Sequence, residues 1–225
     1  MSQFLKRIII GIFPVLLIIA TAECLLRKIP NSYQLKADFY LSHSSDIETL
    51  ILGNSHAYYD LNPAFFKTYT FNGANVAQTL DLDADIFFKY EKGFTKLRCL
   101  IIPISDMSLF FKLEDLESWR LKNYAIYYNI HTTWDPAENS EIFSLPFSIN
   151  RHRLISYYLR HETDITSSDL GYGTNFKSGH TPDLNAAAVK AIQLHKITDF
   201  RYFEQQKAAV EKRISFTHDI GIKVI

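Results

Sequence analysis

The chain has 225 residues, enough for one domain with a sizeable core, and its 47% apolar content excludes a disordered chain. Lys plus Arg and Asp plus Glu each number 24, so the net charge is zero and nothing resembles the basic footprint of a nucleic-acid binder. The 14% aromatic content, mostly Phe and Tyr, reads first as core packing and second as a groove that stacks on sugar rings.

Lys6 and Arg7 precede IIIGIFPVLLIIATAECLL, 19 residues from Ile8 to Leu26 whose one charge is Glu23. About 20 apolar residues cross a bilayer as a helix, and no polar face interrupts this run. Residues 1–28 therefore read as a membrane anchor with a cytoplasmic N-terminus, because basic residues lead the span. A cleaved signal peptide is the alternative: Ala20-Thr21-Ala22 fits the small-x-small cleavage pattern, and the most apolar part is only about 14 residues long. Both readings put the remainder outside the cytoplasm. Cys24 has a bacterial lipoprotein's cysteine position, although Glu23 just before it disfavours lipidation. Cys24 and Cys99 are poorly placed to bond with each other, and neither has metal-ligand spacing.

Residues 29–45 read as a stalk or short helix, and 46–225 as an α/β domain. In LILGNSHAYYDLNP, the run Thr49 to Leu52 is a short buried strand ended by Gly53, which puts Ser55 on a strand-to-helix loop. A second strand falls at Thr70–Phe71, followed by a loop through Asn72, Gly73, Ala74 and Asn75. A helix then carries Leu80, Ala84 and Phe87 on one face. Leu97 to Ile102 is apolar on both faces, as a central parallel strand should be, and Pro103 ends it. Residues 112–182, rich in Tyr, His, Asn and Ser, read as an insertion. Asp183 to His218 turns helical again, and DIGIKVI begins a last strand. The alternation predicts a parallel sheet covered by helices.

LILGNSHAYY after an apolar anchor, then FNGANVAQTL, then LIIPISDMS, resembles the first three blocks of the SGNH (GDSL-like) hydrolase superfamily, in its membrane-anchored cell-envelope branch. The resemblance covers roughly residues 20–225. It implies a flavodoxin-like three-layer sandwich and an esterase or O-acyltransferase acting on bacterial envelope or extracellular polysaccharide. No His/Asp/Glu set has metal spacing such as His-x-x-x-His, so no metal is expected, and no cofactor is expected either. The protein would be a single-pass inner-membrane protein whose main domain faces the periplasm or exterior.

Ser55 would be the nucleophile, its own N–H helping to hold the oxyanion. Asn54, Gly73, Ala77 and Ser105 complete the candidate oxyanion and substrate-binding set. Ala77 stands where the family's second block has a glycine, and Gly73 lies too early. Ser105 replaces an asparagine, and its hydroxyl can still donate one hydrogen bond. The motif is not a Gly-x-Ser-x-Gly elbow, because Ala57 holds the second glycine's place.

The family's last block, Asp-x-x-His, is not found: none of the eight histidines has Asp three residues before it. That predicts a chain truncated before its base, with Ser55 nearly inert. His56 is the nearest substitute, though neighbouring side chains on a tight turn usually diverge. His195 reads as a helix-surface contact, and His131, His152, His161 and His180 as loop residues. Simpler roles compete at each site. Ser55 would cap a helix beginning near Tyr58, Asp106 would cap a helix at Met107–Phe111, and Tyr58 and Tyr59 would pack on the sheet. The rival function is a non-catalytic glycan-binding or structural envelope component, whose SGNH-like fold binds a glycan or a membrane partner without turnover.

Overall fold

The computed structural model describes residues 2–105, 107–176 and 199–225. In chain order the elements that matter are α1 (Ser2–Arg27), α2 (Ser32–His43), β1 (Thr49–Ile51), α3 (Ser55–Asp60), β2 (Thr70–Asn72), α4 (Leu80–Tyr90) and β3 (Cys99–Ile101). They continue with α5 (Leu113–Glu117), α6 (Leu121–Asn123), α7 (Pro136–Asn139), α8 (Glu141–Ser144), α9 (Phe147–Arg160), α10 (Phe203–Asp219) and β4 (Lys223–Val224). The chain divides into two compact units, one of Met1–Asn31 with Trp119–Ile165 and one of Ser32–Ser118 with Thr166–Ile225.

The second unit is an α/β unit built on a four-stranded, all-parallel sheet in the order β2-β1-β3-β4. Thr49 pairs with Thr70 on one side and Cys99 on the other, so the centre of the sheet is in register across β1. Successive side chains of a strand point to opposite faces, and Leu50 and Ile51 are both fully buried, so β1 is covered on both sides. Ile51 packs with Ala57, Tyr58 and Ala74, which places α3 against one face. The order is that of the first four strands of a flavodoxin-like sheet, and the direction of strand succession reverses between β1 and β3.

β2 lies at an edge, and a strap of the chain covers it. The N–H of Asn72 donates to the Leu170 carbonyl at 2.9 Å, and that of Gly173 to the Tyr58 carbonyl at 2.8 Å. The Tyr58 hydroxyl donates to the Thr166 carbonyl at 2.7 Å. Gly171 has φ +85°, and a Cβ there would run into the Asn72 carbonyl, so the close approach requires glycine. An edge strand closed in this way is shielded from pairing with other chains.

Residues 29–45, expected as a stalk or short helix, contain α2, whose Lys36, Ala37 and Tyr40 are buried in the α/β unit. Tyr40 stacks on Tyr90 and meets Phe71 edge-on. Lys36 donates to the Ala74 carbonyl and lies 4.5 Å from the centre of the Tyr58 ring, and its burial holds its pKa well below the ordinary lysine value. The expected insertion is likewise split: residues 119–165 belong with α1, whereas 166–176 form the strap.

The first unit explains the charge in the apolar run. The Glu23 carboxylate accepts the N–H groups of Glu141 and Ile142 at 3.1 and 2.9 Å, capping α8, and pairs with Arg27 at 2.6 Å. Within the unit, Glu141 is fully buried and receives Lys122, Arg153 at 2.6 Å and the Tyr127 hydroxyl at 3.0 Å. Arg153 also bonds Asp164 at 2.7 Å. α1 is long and apolar enough to cross a membrane over Ile10–Arg27, with only 6% of that window buried.

Candidate active site

A cleft of about 190 Å³ opens at the carboxyl edge of the sheet, where the loops after β1, β2 and β3 meet. Such a crevice, at the point where strand order reverses, is where open α/β sheets bind ligands. Four of the five sequence candidates line it: Asn54, Ser55, Ala77 and Ser105. Gly73 does not. It is buried behind the cleft, its N–H donating to the Ile51 carbonyl at 2.8 Å, and a Cβ there would collide with the Tyr40 hydroxyl.

Two residues after β1 comes Gly53, which has φ +121° and lies so near Ala57 and Pro103 that a Cβ would sit 3.3 Å from each. α3 starts at Ser55, not near Tyr58, and its cap is Asn54, whose side-chain oxygen accepts the His56 N–H at 3.0 Å. The capping role expected for Ser55 therefore belongs to its neighbour. Among the described residues neither the Ser55 hydroxyl nor its N–H has a hydrogen-bond partner, so both are available to a ligand.

Ala77 sits at φ +59°, one of three non-glycine residues in the left-handed region among the described residues. An L-residue there costs about 1–2 kcal/mol, and such strain tends to persist where a site over-determines the backbone. Its N–H, too, lacks a partner among the described residues. Ser105 is engaged: its N–H donates to the Ser108 hydroxyl at 3.0 Å, and the two hydroxyls lie 2.9 Å apart. Residues 107–110 form turns rather than the expected helix, and Asp106, its expected cap, lies outside the described residues.

Beneath the two loops is a polar network that the sequence reading did not single out. Asp83 of α4 is fully buried, and its Oδ1 accepts both the Gly53 N–H at 3.0 Å and the Gln78 side-chain amide at 2.6 Å. Gln78 in turn accepts from Asn75 at 2.7 Å, and the Asn75 N–H donates to the Gly53 carbonyl at 3.2 Å. One carboxylate oxygen thus ties the Ser55 turn to the Ala77 turn. Asp83 Oδ2 lies 3.7 Å from Arg213 of α10, itself fully buried. Burial pushes the Asp83 carboxyl up and the Arg213 guanidinium down from their ordinary pKa values, each effect opposed by the charge of the other. Asn72 fastens the same region: its amide donates to the carbonyls of Ala57 and Leu61 at 2.8 and 2.9 Å.

The histidines are placed as follows. His56 lines the cleft but is exposed, with Nδ1 4.0 Å from Asp60. His131 bonds Asn139 and Asn129 in the helical unit and stacks on Trp134. His152 and His161 are exposed there, and His180 and His195 lie outside the described residues. No group of three or more His, Cys, Asp or Glu that could hold a metal is found among the described residues. Apolar side chains, Leu80, Met107, Phe111 and Leu116, make up one side of the cleft.

No family model, curated protein or solved structure matches the chain.

Proposed function

We propose that this protein is a membrane-anchored serine acyl-transfer protein of the SGNH type, an esterase or O-acyltransferase acting on cell-envelope or extracellular polysaccharide. The observation that carries the reading is the meeting, in one cleft, of the Ser55 hydroxyl with two backbone N–H groups, those of Ser55 and Ala77, all three without a partner among the described residues. Acyl transfer needs such a set: a nucleophile, and preorganised donors where the carbonyl oxygen becomes charged. Ser55 Oγ attacks the acyl carbonyl carbon and gives up its proton to a base, while the carbonyl electron pair moves onto oxygen facing the two N–H groups. Collapse expels the alcohol and leaves an acyl-Ser55 ester, which water or a sugar hydroxyl then takes over. Ser105 adds a hydroxyl donor. Lys6 and Arg7 before the span support a bacterial inner-membrane anchor with the α/β unit outside the cytoplasm.

One observation favours a second reading, a glycan-binding component without turnover: among the described residues no histidine is hydrogen-bonded to Ser55. Without a base, a serine hydrolase loses on the order of 10⁴-fold in rate. Imidazole added to the solution can supply the missing proton acceptor. Incubated for hours with a fluorophosphonate, the chain should take the label on the Ser55 peptide, faster with imidazole present. Ser55→Ala should abolish the label, and His56→Ala should leave it unchanged. Absence of label at Ser55 in imidazole, with retained binding of polysaccharide, would decide for the second reading.

A further inference from the structure

α1 reaches the helical unit as one unbroken helix, and its last two turns are part of that unit's packing. Besides the Glu23 cap on α8, the Leu25 carbonyl accepts the Tyr158 hydroxyl of α9 at 3.1 Å, and Arg27 donates to the Asn139 carbonyl of α7 at 3.4 Å. Leu26 and Ile29 are buried. The exposed apolar stretch Ile10 to Ile18 ends only five residues before Glu23, about 7 Å along the axis. A hydrocarbon core of about 30 Å takes about 20 helical residues. A span that includes Ile10–Ile18 therefore carries α7, α8 and α9 to the level of the lipid headgroups, with no linker in between.

The residues presented there suit that depth. Phe147 and Leu159 of α9 are 79% and 74% exposed, Phe143 of α8 is 58% exposed, and Trp134 ahead of α7 is 83% exposed. The inner side of α9 is committed elsewhere: Asn150 bonds the Glu141 and Ile142 carbonyls, and Arg153 the Glu141 carboxylate. Arg151 and Arg160 are exposed on the same helix, and α9 has no acidic residue. Exposed aromatic and aliphatic side chains beside exposed arginines are the composition of a helix lying in a bilayer interface with anionic lipid.

We infer that α8, α9 and the Trp134 turn form a second membrane contact, lying flat on the anionic bilayer surface beside the α1 span. The inference rests on the reading of α1 as a membrane span. In the Cys24→Ser/Cys99→Ser background, cysteines replacing Phe13, Phe147 and Leu159 one at a time would carry an environment-sensitive nitrobenzoxadiazole dye. Each full-length chain is reconstituted in phosphatidylcholine vesicles containing phosphatidylglycerol, with spin-labelled lipids as quenchers. The dye at Phe13→Cys should be quenched most by a label deep in the acyl chain. The dyes at Phe147→Cys and Leu159→Cys should be quenched most by a headgroup label and be blue-shifted from their emission in water. Deep quenching at position 13 with unquenched, water-like dyes at 147 and 159 would overturn the second contact and leave the span intact. Absence of quenching at position 13 would overturn the span and the inference with it.

Discussion

Ala77 holds a left-handed backbone with a side chain that disfavours it, and relief is available. Ala77→Gly removes about 1–2 kcal/mol of strain and returns about 0.4–1 kcal/mol through a freer unfolded chain. The expected net gain is about 0.5–1 kcal/mol in denaturant titrations, with labelling of Ser55 retained; a less stable protein would mean that the Ala77 methyl is held by packing. Two buried carboxylates carry opposite pH signatures. Burial pushes the Glu141 carboxyl up, but Lys122 and Arg153 outweigh it and bring it below its ordinary value. Its contribution to stability is therefore present above the ordinary carboxylate range and lost as pH falls through the lower folded value. Glu141→Gln leaves two buried cations without their anion and should cost about 3–5 kcal/mol at neutral pH. That penalty should shrink in titrations repeated at pH 4 and below. Asp83 has the reverse sign, since its folded pKa is raised: the cost of holding it ionised is full above that folded value and fades as pH falls through it toward the ordinary carboxylate range.

At the scale of elements, α4 and α10 meet through Asp83 and Arg213, and the pair does two separable things. As a buried ion pair it contributes little net stability, because desolvation offsets attraction. As an acceptor for Gly53 and Gln78 it fixes two loops of the cleft. The double substitution Asp83→Leu/Arg213→Met removes the ion pair at little net cost but leaves the buried Gly53 N–H and Gln78 amide without their acceptor, so it should lower stability by about 1–3 kcal/mol while the fold is kept. Labelling of Ser55 should nevertheless slow by about tenfold or more, since small displacements of a reacting group are expensive in rate. Unchanged labelling would reduce Asp83 to a packing residue. Asp83 was readable in advance, because it interrupts the apolar stripe of Leu80, Ala84 and Phe87. Arg213 was not, because the buried side of α10 is mostly polar, with Gln206, Arg213 and Thr217 beside Val210, and shows no apolar period for a charge to interrupt. Which helix faces which is a long-range fact that no local pattern contains.

For the whole molecule, the strands were legible because parallel strands buried on both faces leave unbroken apolar runs, as Thr49–Ile51 and Cys99–Ile101 do. The Ser55 turn was legible because Gly53 must adopt a conformation that other residues avoid. The strap over β2 and the buried Glu141 cluster were not, since their contacts join residues separated by tens of positions and leave no period in the sequence. With α1 read as a membrane span, its unbroken course into its packed end makes it a ruler. Every residue between Ile18 and Glu23 sets a height of about 1.5 Å and a heading of about 100° for the helices clamped at its tip. Four extra residues there would lift α8 and α9 by about 6 Å and turn them by about 40°. Length and phase of this apolar stretch are therefore under one joint constraint, and a neighbour gripping the helix inside the bilayer would steer what stands on its surface.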